Sequence, residues 1–174
     1  NGLLMSTLDV SNADFMAGGD MLFRGTTDAG VTNMGRINAV GGDVFLLGKT
    51  VVNSGAINAA NGTVGLAAGE EVLITAVADP AGERVFVSPT AGVGGGTGVD
   101  NSGTIEGAMV ELKAHGNMYA LAINNSGSIR ATGASRNGGK VTLRAIGGTI
   151  SNSGSIAATL PDGTGGRIMI DAGV

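Results

Sequence analysis

The sequence predicts an all-β chain: a β-helix, or solenoid, of about five coils, with an N-terminal half-coil and one projecting β-hairpin. Three observations predict it: a phrase that recurs along the chain, a second phrase behind each copy, and a composition of small aliphatic residues. Self-similarity at a period of about 20 to 27 residues is typical of a solenoid. Of the 174 residues, 43% are hydrophobic and only 3% aromatic, and glycine fills 33 positions. Short strands around a narrow core suit that composition.

The first phrase reads V/I-x-N-x-G-x-I-x-A/G and occurs at 31–39, 51–59, 99–107, 123–131 and 150–158. Its isoleucines predict a stacked core column: Ile37, Ile57, Ile105, Ile129 and Ile156. Its asparagines predict an inward ladder: Asn33, Asn53, Asn101, Asn125 and Asn152. An unpaired buried amide costs about 1–3 kcal/mol, so we expect each amide to bond to the next coil or to turn backbone. This ladder is predicted to be structural.

The second phrase, V-x-L-x-A/G, predicts a parallel core column: Val44, Val64, Val110, Val141 and Ile168. Apolar residues alternate with polar ones in both phrases, and this period of two is the strand signal. One face of each strand is therefore predicted to be buried. The glycine of the first phrase is expected to take a positive φ at a tight corner beside the asparagine.

The remaining segments divide one predicted domain, 1–174, into a half-coil (1–30), coils (31–71), a hairpin insertion (72–98) and further coils (99–174). The half-coil holds two short strands, and between them residues 11–16 predict a turn or one helical turn with Ser11 or Asn12 as cap.

Residues 72–78 and 84–88 predict a β-hairpin around a Pro-Gly turn. We expect it to project from the coils and to expose an apolar contact surface of Val85, Phe86 and Val87. The alternative is that it folds back over a flank of the coils. Extra residues at 132–137 and 159–163 predict longer corner loops.

Candidate chemistry is sparse, and no cofactor, metal centre or catalytic residue is predicted. The single histidine, His115, is expected to face solvent, and the chain has no cysteine, so a zinc site lacks ligands. Residues 95–100 match part of a calcium-binding nonapeptide, but Ser102 stands where an aliphatic residue is needed, which favours a glycine-rich return. Neither a G-x-S-x-G motif nor a plausible Ser-His-Asp grouping occurs.

A polysaccharide-processing β-helix is the enzymatic alternative. Aligning the copies places Lys113, Arg144 and Asp171 in one outward column and Glu106 beside Arg130 in another. Charged columns on a solvated face contribute little to stability, and aromatic sugar platforms are missing from both columns. These columns therefore favour a solvated face over an active site.

Residues 4–18 (LMSTLDVSNADFMAG) resemble the stretch ASTLDISNADFLAG of the filamentous haemagglutinin family, the large exoproteins of bacterial two-partner secretion. The repeats and residues 62–69 (GTVGLAAG) resemble the repeats that lie C-terminal to that stretch in the family, while the family's NPNGI-type secretion motif is absent from this sequence. The resemblance implies a right-handed parallel β-helix, recognition by an outer-membrane two-partner-secretion transporter, and a place at the cell surface of a Gram-negative-type bacterium.

The function hypothesis is a secreted, non-enzymatic segment of a surface adhesin or matrix fibre, a stiff rod whose host receptor, glycan or matrix the sequence does not identify. The alternative is a structural filament whose subunits stack end to end. Because residues 167–171 end without a polar cap, we expect further coils or another subunit after Val174. The net charge of −4 argues against nucleic acid, and no stretch reaches the roughly 18 apolar residues of a membrane span.

Overall fold

The computed structural model describes residues 2–89, 95–133 and 139–173, and most of these residues lie in strands. The first strands and the helix are β1 (Leu3–Ser6), β2 (Asp9–Val10), α1 (Asn12–Ala17), β3 (Met21–Arg24), β4 (Val31–Asn33), β5 (Arg36–Asn38), β6 (Val44–Gly48), β7 (Val51–Asn53) and β8 (Ala56–Ala68). They are followed by β9 (Glu71–Ile74), β10 (Val85–Val87), β11 (Thr97–Asn101), β12 (Thr104–Ala114), a 3₁₀ turn (Gly116–Met118), β13 (Leu121–Asn125), β14 (Ser128–Ala131), β15 (Lys140–Arg144), β16 (Ile150–Asn152), β17 (Ser155–Ala158) and β18 (Arg167–Asp171). Neither helical segment in this part of the chain approaches the length needed to cross a lipid bilayer.

Parallel pairing joins equivalent strands of successive repeats, so the prediction of an all-β chain is confirmed. One sheet of the described residues has the order β4-β7-β11-β13-β16 and carries the first half of the nine-residue phrase. A second sheet contains two ladders, because the long strands β8 and β12 each continue through a corner. One ladder runs β5-β8-β12-β14-β17, and the other runs β1-β6-β8-β12-β15-β18.

The two predicted core columns lie in register inside these ladders. Ile57, Ile105 and Ile129 stack on one another and are each 1% exposed. The four valines of the second column are fully buried, and Leu3 of β1 pairs with the first of them. The outermost members differ, since Ile168 is 47% exposed.

The glycines of the repeated phrase have a different role from the predicted one. None of Gly35, Gly55, Gly103, Gly127 and Gly154 has a positive φ, so that prediction was wrong. A Cβ on Gly103 would lie 2.0 Å from the carbonyl oxygen of Gly55, and the later glycines meet the preceding repeat equally closely. Glycine is required here because neighbouring backbones approach each other at the corner.

The N-terminal residues begin in the parallel sheet and then leave it. After β1 the chain forms β2 and then α1, where the Ser11 side chain accepts a hydrogen bond from the N–H of Asp14 and Gly18 ends the helix in the left-handed region. Strands β2 and β3 then join the hairpin in an antiparallel sheet of order β10-β9-β3-β2. The predicted helical turn and its Ser11 cap are present.

The predicted hairpin exists but does not project, and that prediction was wrong. Strands β9 and β10 pair antiparallel, with Val85 opposite Ile74, and β10 lies against β8 and β12. Val85 is fully buried, while Phe86 and Val87 are half-buried. The hairpin therefore covers one flank of the parallel sheet.

The glycine-rich return and the longer corners are described in part. Residues 97–100 of the partial calcium motif belong to strand β11 rather than to a loop, and residues 92–94 lie outside the described residues. The corner after Thr159 is a turn in which Leu160 N–H donates to the carbonyl of Thr164. Of the other predicted corner, residues 134–137 lie outside the described residues.

Candidate functional site

The asparagines of the repeated phrase form a continuous chain of side-chain hydrogen bonds. The Nδ2 of Asn33 donates to the Oδ1 of Asn53 at 2.8 Å, and Asn53 donates to Asn101 at 2.7 Å. Asn101 donates to Asn125 at 2.7 Å, and Asn125 donates to Asn152 at 2.6 Å. The three middle asparagines are fully buried. Because each amide is used by its neighbours, the ladder offers a ligand no free group in the interior.

The hairpin flank has a hydrophobic core of its own. Val85 fills the space that Gly65 leaves above the sheet, since a Cβ on Gly65 would lie 2.7 Å from Val85 and 2.7 Å from the Phe45 ring. Phe45 and Leu47 point outward from β6 and are buried under the antiparallel sheet. A second hydrophobic core therefore lies between the hairpin and the outward face of the parallel sheet.

A cluster of charged side chains is buried between the hairpin and the parallel sheet. Glu83, at the start of the returning hairpin arm, is 1% exposed and receives hydrogen bonds from Lys113 at 2.6 Å and from Arg144 at 2.9 Å. Lys140 lies 3.4 Å from the same carboxylate and also donates to the carbonyl of Ala81. One hairpin carboxylate is thus held by cations from β12 and β15.

Glu111 makes the reverse connection from β12 to the hairpin backbone. Its carboxylate accepts the N–H of Arg84 at 2.9 Å and the N–H of Val85 at 3.1 Å. Its other contact is Lys113 at 3.0 Å, and Lys113 also donates to the carbonyl of Val85. Buried charges are tolerated when they are paired and hydrogen-bonded, as these are. The cluster therefore locks the hairpin at a defined position.

The ionisation of Glu83 follows from these contacts. Burial raises the pKa of its carboxyl, but the hydrogen bond and charge of Lys113, with the charges of Arg144 and Lys140, outweigh burial and hold the pKa below its ordinary value. Glu83 is therefore anionic at neutral pH and attracts all three cations.

The predicted charged column of Lys113, Arg144 and Asp171 is in register, as the alignment of the copies indicated. The expectation that it is solvated was wrong for Lys113, whose side chain is 3% exposed. Arg144 is one third exposed, and Asp171 lies 3.3 Å from its Nε. A sequence signal for the cover existed: β6 reads Val-Phe-Leu-Leu, apolar on both faces.

His115 also differs from its prediction. Its side chain is 8% exposed rather than facing solvent, because the hairpin end at Val87 and Pro89 lies over the same outward face. Its Nδ1 is buried and has no hydrogen-bond partner. Within the described ranges, no group of three or more metal-ligating side chains occurs.

The second predicted charged column remains open to solvent. Glu106 and Arg130 face each other across β12 and β14, yet no ion pair among the described residues joins them. They line a groove with Arg36, Asn38 and Asn58, and nothing covers that groove within the described part of the chain. The two charged columns thus lie in different environments on the same sheet.

These features define an all-β repeat protein whose parallel sheets carry an internal amide ladder and a locked antiparallel flank. The chain is similar to the HMW1 secretion domain from Haemophilus influenzae, known from a crystal structure, with a TM-score of 0.75 and 29% sequence identity. The similarity covers 98% of this chain and 44% of that chain, so this chain spans less than half of it. No protein-family model and no curated protein matches the sequence.

Proposed function

We propose that the chain is a secreted, non-enzymatic segment of a bacterial surface adhesin or matrix fibre, exported through an outer-membrane two-partner-secretion transporter. The observation that carries the proposal is the similarity to a secretion domain over 98% of the chain. The resemblance of residues 4–18 to the filamentous haemagglutinin family points the same way. The surface of a Gram-negative-type bacterium, or its surroundings, is the proposed location.

In this proposal the five repeats are five coils of a right-handed parallel β-helix, preceded by a half-coil over residues 1–30. Right-handed connections are the rule between parallel strands of one sheet. The proposed division keeps coils at 31–71 and 99–174 and the hairpin insertion at 72–98, with the hairpin as a cover. The Asn ladder and the Ile and Val columns are proposed as scaffold, and no residue is proposed as catalytic.

The mechanical role follows from how the repeats are joined. Each repeat is connected to the next by backbone ladders, an amide hydrogen bond and aliphatic contacts, so bending the stack breaks several interactions at once. The buried charged cluster adds contacts from Glu83 and Arg84 of the hairpin to residues of β12 that lie 30 and 27 positions later in sequence. A body built in this way is suited to hold surface groups in fixed positions on a rod.

Export is the direct test. The natural protein that carries this chain is produced with and without a two-partner-secretion transporter of the outer membrane, and the culture medium is assayed by immunoblot. We expect the protein in the medium only when the transporter is present, while a periplasmic marker stays inside the cells. Retention in the presence of the transporter, or equal release without it, contradicts the proposal. A polysaccharide panel, followed by a reducing-end assay, is expected to remain uncleaved.

A further inference from the structure

The open groove on the outward face of β5, β8, β12 and β14 has the features of a ligand site. It encloses about 380 Å³. One column of the groove contains Asn38, Asn58, Glu106 and Arg130 in register, and a parallel column begins with Arg36 and continues through small residues and hydroxyls. Adjacent strands lie about 4.8 Å apart, so Arg36 and Arg130 stand roughly 14 Å from each other along the stack.

The charged groups of this groove are not used by the protein. In the described structure, the side chains of Arg36, Glu106 and Arg130 make no hydrogen bond or ion pair with another residue. The Oδ1 of Asn58 also accepts no hydrogen bond, but this atom is buried and is not exposed to the groove. The buried cluster beneath the hairpin, by contrast, uses almost every charge. The groove is therefore free to satisfy a ligand.

The chemistry of the groove selects one kind of ligand. Two arginines against one glutamate leave a local positive excess on a chain whose net charge is −4. Arginine binds carboxylates through paired hydrogen bonds, whereas amide and carboxylate oxygens accept from hydroxyl groups. The described lining has no aromatic residue on which a sugar ring or a protein side chain could stack, so recognition rests on its charged groups. Two basic side chains are too few for nucleic acid.

We propose that this groove binds an acidic oligosaccharide with repeating carboxylates, laid across the four strands. Arg36 and Arg130 hold two carboxylates of the chain, and Glu106 accepts hydrogen bonds from sugar hydroxyls between them. Glu106 is the only carboxylate among the described lining residues, so these residues lack the carboxylate pair that glycoside hydrolysis uses. The inference rests on the proposed surface or matrix role, for which it supplies a ligand class.

The test is isothermal titration calorimetry of the purified chain at about 50 mM salt, where exposed charges are weakly screened. The acidic probe is a hyaluronan octasaccharide, and the neutral probe is a hexamer of N-acetylglucosamine. Arg130→Gln and Arg36→Gln remove the proposed carboxylate contacts. Arg167→Gln makes the same change of charge at an exposed arginine outside the groove, and thermal unfolding checks that each variant is folded.

We expect the octasaccharide to bind, the neutral hexamer to bind at least about tenfold more weakly, and Arg130→Gln to weaken octasaccharide binding about tenfold or more. Arg167→Gln is expected to leave affinity within about twofold of the unchanged chain. Absence of binding at millimolar probe, equal binding of both probes, or an equal loss in Arg167→Gln overturns the proposal. Such a failure leaves the transporter-dependent export untouched, and a failure of export leaves the calorimetric result standing.

Discussion

Two charged columns lie on the outward side of one sheet, and one is buried and paired while the other is exposed and unpaired. Lys113 and Arg144 lie beneath the hairpin, where Glu83 and Glu111 pair with them. Glu106 of β12 and Arg130 of β14 lie in an open groove, and neither has a partner in the described structure. Strand parity gives both columns the same outward direction. The difference is the hairpin, which covers only the first column. Beneath it the charges form buried ion pairs that hold the hairpin in place, whereas the charges of the second column remain unpaired.

The largest expected effect comes from removing the carboxylate that holds the hairpin. Glu83→Ala leaves Lys113 buried without its closest partner, and breaking a buried pair in this way costs about 3–5 kcal/mol. Urea unfolding followed by circular dichroism measures the loss. Glu106→Ala in the open column is the matched control, with an expected change within about 0.5 kcal/mol. Equal losses in the two variants contradict the contrast between the columns.

The corner glycines should show the next largest effect. Gly103→Ala places a Cβ 2.0 Å from the carbonyl oxygen of Gly55, so the repeats must separate, and we expect a loss of about 3 kcal/mol. Gly35→Ala is the control, because a Cβ there meets nothing within 4 Å. Thermal unfolding of both variants separates a requirement for close approach, which only Gly103 has, from a general effect of glycine replacement.

The asparagine ladder should respond by position. Asn101→Ala leaves the Nδ2 donor of Asn53 and the Oδ1 acceptor of Asn125 without their partners in the interior, and we expect a loss of about 2 kcal/mol. Asn152→Ala, at the exposed end of the ladder, removes the hydrogen bond from Asn125 and the one to the carbonyl of Gly154. Because solvent reaches this position, the variant should cost less than about 1 kcal/mol. Chemical denaturation of the two variants measures both losses of stability. Equal losses would show that the contribution of a ladder asparagine does not depend on its burial.

A smaller, pH-dependent effect should distinguish the buried cluster from the open column. Because the folded pKa of Glu83 lies below its ordinary value of 4.5, its ion pairs stabilise the fold above that pH and are lost as the pH falls through the folded pKa. The stability difference between the unchanged chain and Glu83→Gln is therefore expected to be largest above pH 4.5 and to shrink in acid. Denaturation midpoints from about pH 6 to about pH 3 measure this trend, and a constant difference contradicts it.

The repeating part of the fold could be predicted from the sequence because each residue type in the phrase indicates whether its position is buried, exposed or at a corner. Asn101 and Ile105 recur at fixed places, and the alternation of two assigns their faces. The cover was not accessible in the same way. It depends on antiparallel pairing between β3 and β9, whose residues lie about 50 positions apart and share no repeat. Parity shows that Lys113 and His115 point outward but not what lies over them; the doubly apolar strand at Phe45 and Leu47 was the available signal.

The candidate groove was visible in sequence only as a charged column. The neighbourhood of Glu106 and Arg130 follows from aligning the copies, but their lack of pairing and the orphaned acceptor of Asn58 depend on side-chain placement. Periodicity predicts which residues are neighbours. It does not predict which neighbours form bonds.

Hydrogen exchange of the hairpin is the most direct measurement of the central claim that the hairpin is a locked part of the folded body. The amides of Arg84 and Val85 donate to the buried carboxylate of Glu111, so peptides over residues 83–88 should be protected as strongly as peptides from β12. Glu111→Gln should accelerate exchange in the hairpin peptides more than in β12. Exchange of residues 83–88 within seconds in the unchanged chain, while β12 stays protected, would show a free hairpin and contradict the account.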